Sequence, residues 1–65
     1  MRSDLMFVPA DYEIVLESSF PETITRSTDF ELAVALFRAA IPRYRHRVIE
    51  LRQGSAVLRT YIPPQ

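Results

Sequence analysis

Eight of the 65 residues are arginine, and three of them fall in one run, Arg43-Tyr44-Arg45-His46-Arg47. Guanidinium groups interleaved with aromatic rings can track a phosphate backbone while the rings stack on bases. Arg43, Tyr44, Arg45 and Arg47, with Tyr61 brought beside them, are therefore a candidate nucleic-acid surface. The same run has a structural reading. Arg43 and Arg45 follow a helix C-terminus, where cations offset the dipole. Arg45 and Arg47 are also placed to pair across strands with Glu13 or Glu17. A formal net charge of zero lacks the electrostatic footprint of a nucleic-acid protein. Nucleic-acid binding is the second reading.

Other reactive side chains do not converge. His46 is the only histidine, with Glu50 four residues on. No further His, Cys, Asp or Glu stands at ligand spacing, so no metal site is expected. Ser18 and Ser19 lack an elbow motif and an oriented base. Glu13 and Glu17 share a strand face but lie about 13 Å apart along it, too far for a glycosidase pair. With a single glycine there is no phosphate-cradling loop. No catalytic residue, cofactor or small-molecule ligand is expected.

These residues need elements to hold them, and the strongest is a helix over Thr28–Pro42. Thr28 and Glu31 have the spacing of a capping box. Asp29 and Glu31 place negative charge at the positive end of the dipole, and Arg38 lies near the other end. Phe30, Ala33, Val34, Phe37, Ala40 and Ile41 form one apolar stripe. Pro42 is expected to end the helix. The polar line of Glu31, Ala35 and Arg38 is thin, and Leu32 and Leu36 stand outside the main stripe. They are either flanks of a wide core face or a contact with a second chain.

The rest reads as strands. Tyr12–Ser18 alternates, with Tyr12, Ile14 and Leu16 towards the helix and Glu13, Val15 and Glu17 away from it. Thr23–Thr25 has β propensity for a brief extended piece, and Phe20 and Ile24 are expected over one end of the core. Tyr44–Arg52 and Ser55–Ile62 form a hairpin about Gln53-Gly54. Leu51 then faces Ala56, Ile49 faces Leu58, and Val48 faces Arg59. Pro63 and Pro64 end the sheet, leaving 63–65 as a tail. Residues 1–11, with Leu5 to Val8 apolar, are a further strand or an arm.

The expected fold class is α+β: one two-layer domain over residues 1–65, a helix on a small, mostly antiparallel sheet in the order β-α-β-β, with or without an added N-terminal strand. If its first two strands lie parallel, their crossover should be right-handed, with the last strand between them. The expected core is Tyr12, Ile14, Leu16, Phe30, Ala33, Phe37, Ile49, Leu51 and Leu58. Val15, Val48 and Val57 would make either a small apolar centre on the outer face, ringed by Glu13, Glu17, Glu50, Arg52 and Arg59, or scattered surface valines inside a salt-bridge lattice.

Composition bounds the function. A domain this small hides only about 60% of its unfolded surface and usually gains a staple from disulfides, metal or oligomerisation. There is no cysteine, which leaves oligomerisation. No segment has the length to cross a membrane or the form of a signal peptide, so a cytoplasmic protein is expected. Residues 1–31 hold seven acids and two arginines, net −5; residues 32–65 hold six arginines and one acid, net +5. All basic residues are arginine, and asparagine and lysine are both absent, as a GC-rich gene would dictate. The architecture resembles many small bacterial or phage proteins, and architecture does not fix function. The leading expectation is a non-enzymatic accessory protein that binds protein. It would form a homo-dimer or higher assembly through Leu32, Leu36, Val15, Val48 and Val57 or through a sheet edge.

Overall fold

The computed structural model describes residues 11–64. Five elements follow in order: β1 (Tyr12–Glu17), β2 (Glu22–Ser27), α1 (Phe30–Arg43), β3 (Val48–Gln53) and β4 (Ala56–Tyr61). The strands form one antiparallel sheet in the order β2-β1-β3-β4. The α+β class and the helix-on-sheet layering are as the sequence implies. The brief extended piece at Thr23–Thr25 is the middle of a full strand, so the order is β-β-α-β-β. The expected N-terminal strand or arm falls in residues 1–10, outside those described.

The topology differs from the expected crossover. β1 and β3 are antiparallel neighbours, so no parallel crossover joins them. The chain leaves β2, runs through α1 and returns as β3 on the far side of β1. β4 lies at the edge and not between its predecessors.

Local chemistry explains the helix boundaries. Asp29, not Thr28, is the N-cap. Its carboxylate accepts from the N–H of Glu31 at 2.8 Å and of Leu32 at 3.3 Å. Ser27 holds the cap residue, its Oγ accepting from the Asp29 N–H at 3.0 Å. These bonds satisfy donors that a helix start leaves open. Pro42 does not stop the helix. It removes one donor, but the next turn closes without it: the Tyr44 N–H reaches the carbonyls of Ala40 and Ile41 at 2.9 and 3.3 Å. Tyr44 then caps the helix.

The β3–β4 turn is Gly54-Ser55, one residue later than the spacing suggests. Gly54 has φ of 59°, the left-handed conformation that favours glycine. Gln53 pairs with Ala56 and Arg52 with Val57, then Leu51 pairs with Arg59. Leu58 is thus the extra residue of a β-bulge. β3 starts only at Val48, because 44–47 form the helix cap and a turn closed by the Arg47 N–H on the Tyr44 carbonyl.

The core is Ile14, Leu16, Ala33, Phe37, Ala40, Ile49 and Leu51, with Tyr12, Ile24, Val34, Leu36, Ile41, Tyr44 and Tyr61 packed against it. Two expected core residues are outside it. Phe30, at the first helical turn, is 41% exposed and meets the Tyr12 ring at 5.4 Å between centroids. Leu58 is 42% exposed, because α1 packs mainly on β3, β1 and β2, and β4 meets the core through Tyr61.

This division of labour is measurable. Ile49 is fully buried, so Ile49→Ala should lower unfolding free energy by about 2–5 kcal/mol. Leu58→Ala should change it by less than about 1 kcal/mol. Urea denaturation of the two variants against the parent checks both.

Candidate functional site

The outer face of the sheet, away from α1, carries an ionic network that separates its valines, the salt-bridge lattice and not the apolar centre. In register, Glu13 lies opposite Arg52, Val15 opposite Glu50, and Glu17 opposite Val48. Arg52 does not pair with its direct partner. Its Nε donates to Glu50 at 2.6 Å and its Nη2 to Glu17 at 3.1 Å. Reaching Glu17 from the Glu13 row takes the side chain across the middle row, where Val15 sits. Arginine covers apolar surface with its stem while its head stays polar. Val15 is accordingly only 2% exposed. It is not the open interface residue that strand parity suggests.

Val48 and Val57 do not join Val15 either. Val57 is opposite Arg52, one row from Val15, and Val48 is opposite Glu17 in the row beyond. The Glu17–Arg52–Glu50 bridges run between them. Val48 is half-buried and Val57 open. Glu13 is engaged on the other side, by Arg26 at 3.3 Å. The cross-strand partners of Glu13 and Glu17 are therefore Arg26 and Arg52, not Arg45 and Arg47.

The basic run forms the α1–β3 connection. Arg43, Arg45, His46 and Arg47 are exposed, and none of the three arginines is in a salt bridge among the described residues. They line a shallow recess of about 520 Å³ with Pro42 and Tyr44. The two tyrosines of the proposed stacking surface are otherwise occupied. Tyr44 caps the helix and packs on the core. Tyr61 also packs on the core, and its hydroxyl donates to the Arg45 carbonyl at 3.1 Å. Tyr61 lies opposite Ile49 and not His46. His46 sits in the turn before β3, while Glu50 is held by Arg52. They make no pair. No group of three metal-ligating side chains occurs among the described residues.

Between α1 and the edge strand β2 lies a groove of about 270 Å³, lined by Ile24, Thr25, Leu36, Ala39, Ala40, Arg43 and Tyr44. Leu36 is a half-buried wall of it, and Leu32, one turn earlier on the helix, is 52% exposed. The two leucines are thus not equivalent. Sequence reasoning missed this groove because it depends on the bulge that leaves Ile24 without a partner between Thr23 and Thr25. Phe20, expected over the core, projects 88% exposed from the β1–β2 connection. There the Ser18 hydroxyl donates to the Phe20 carbonyl and accepts from its N–H.

Comparison with known proteins finds no matching family model, no matching curated protein and no matching solved structure. No helix is long and apolar enough to cross a membrane among the described residues.

The outer-face network has a testable weight. Arg52→Ala uncovers Val15 and leaves two carboxylates without their cation. It should destabilise the fold by about 1–3 kcal/mol, less than a fully buried pair because the site is partly solvated. Arg52→Met, which keeps a stem over Val15, should recover part of that loss. Arg26→Ala, from an exposed pair, should stay within about 0.5 kcal/mol. Chemical denaturation midpoints rank the three.

Proposed function

We propose that this chain is a small non-enzymatic protein-interaction module that self-associates in the cytoplasm, in keeping with a bacterial or phage accessory protein. The observation that carries the reading is the position of β4. It is an edge strand that meets the core only through its last residue, Tyr61, and Ala56 to Thr60 are all exposed. Val57 and Leu58 on it, and Ile62 just after it, are open apolar side chains. An unprotected edge offers a row of donors and acceptors to another strand. A second copy supplies one by a two-fold, antiparallel pairing.

The residues also constrain the register. Pairing centred on Arg59 would oppose two guanidinium groups, which destabilises a sheet. Pairing centred on Val57 sets the valine against its own copy and Ala56 against Leu58, and moves the two Arg59 side chains apart. Leu36 belongs to a different surface, the groove beside β2, and Leu32 stands exposed one turn earlier on the helix. Sedimentation equilibrium tests the proposal. The parent should have at least a dimer mass, and Val57→Asp with Leu58→Asp should give a folded monomer by circular dichroism. A parent that stays monomeric at the highest soluble concentration overturns it.

A second reading is supported by the arginines that form no salt bridge among the described residues. Arg43, Arg45 and Arg47, with Tyr44 and Tyr61 behind them, would hold a nucleic-acid backbone through its phosphates and not by base stacking, since both rings are engaged. Retention of single-stranded DNA or RNA at low salt, lost as salt rises, is the expected signature. It should vanish in Arg45→Gln with Arg47→Gln. No retention at low salt rejects this reading.

A further inference from the structure

We propose that the groove between α1 and β2 is a binding site for the C-terminal end of an extended peptide, which adds to the sheet as a strand along β2. This does not depend on self-association through β4, at the opposite edge of the sheet. Three features define the occupant. The outer side of β2 has no strand partner among the described residues, so its open backbone groups suit an extended chain. The groove walls Ile24, Leu36, Ala39, Ala40 and Tyr44 are apolar in their groove-facing bulk. At about 270 Å³ the space is small for a drug-sized ligand and suits roughly one or two aliphatic side chains. Among the described residues the sole charged one lining the groove is Arg43, which is exposed and in no salt bridge with any of them.

Direction then selects a carboxylate. Every pairing in this sheet is antiparallel. Ser27, the end of β2, pairs with Tyr12 at the start of β1, and Glu22 pairs with Leu16 near the end of β1. α1 follows directly from β2 and runs back, so its last residue, Arg43, lies at the Glu22 end. A peptide antiparallel to β2 therefore arrives at Arg43 with its C-terminus. Arginine binds a carboxylate through paired donors, and the last side chain of the peptide falls beside Ile24 and Leu36. The bulge at Ile24 lets two consecutive residues, Ile24 and Thr25, line the same groove. Glu22 lies at the same end and opposes the incoming charge, without forming an ion pair with Arg43.

An array of octapeptides with varied final residues, displayed with free C-termini and again as C-terminal amides, tests the proposal on the intact chain. The expected result is retention of free-acid peptides ending in an aliphatic residue, about tenfold over their amides. Arg43→Gln should erase that difference, and Glu22→Gln should strengthen binding. In the NMR spectrum of the parent, the retained peptides should shift backbone amides of residues 22–27. Equal retention of acids and amides overturns the proposal, as does retention of none. So do shifts confined to residues 56–61, or shifts at 22–27 that appear with protein concentration alone, which would mean that a second copy fills the groove.

Discussion

Among the described residues a single helix has to cover a four-stranded sheet. An α-helix is about 10 Å across, and one of fourteen residues is about 21 Å long. Four strands about 4.8 Å apart span roughly 14 Å between the outer axes, before side chains are added. The helix is long enough for the strands but not wide enough for the sheet. Placed over β2, β1 and β3, it seals Ile14, Leu16, Ile49 and Leu51 and leaves β4 largely out. Much of the surface chemistry follows from this mismatch. The little-covered strand is an edge with exposed Val57 and Leu58, while the covered edge strand meets the helix flank in a concave seam. The two edges therefore offer different things: an open ladder with greasy side chains at β4, and a lined groove with a cation at its end at β2.

The opposite face solves the same shortage differently. Among the described residues no second layer lies over it; the Arg52 side chain crosses the row of Val15 to reach Glu17, and Val15 is 2% exposed. Glu50 retains only 14% of its side-chain exposure. Charged residues here do the shielding that a second helix does in larger α+β domains. They also keep the face polar, so the exposed apolar side chains lie at the edges and at isolated projections such as Leu32 and Phe20.

The class of fold was legible because its signals are local. The strand Tyr12–Glu17, the helix and the glycine turn each follow from period, capping and conformational preference over a few residues. Errors arose where tertiary packing overrides parity. Val15 alternates with core residues, so it reads as outward-facing and wet. It is outward-facing and dry, because a residue 37 positions away lies over it. Leu58 fits a strict two-residue period, and the bulge breaks that period. Thr28 has the right type and spacing for a cap, but the adjacent Asp29 takes the role with Ser27 behind it. The candidate site was less legible than the fold. Arg43 was singled out with its neighbours as a basic run, whereas its place in the structure is the end of an apolar groove. No spacing in the sequence joins it to Ile24.

The placement of β1 between β2 and β3 has a consequence for how the chain assembles. β1 with β2, and β3 with β4, are hairpins closed by short connections, and an isolated hairpin is at best marginal in water. Their junction is the pairing of β1 with β3, which requires closing the long loop that contains the helix. The entropy of that closure is recovered only when the helix docks across the junction, since three of its fully buried partners, Ile14, Ile49 and Leu51, flank it. Neither half of the molecule holds an independent nucleus. Cooperativity is concentrated along one central line, and cleavage anywhere between Glu17 and Val48 would cut the chain between the two strands that the helix docks across.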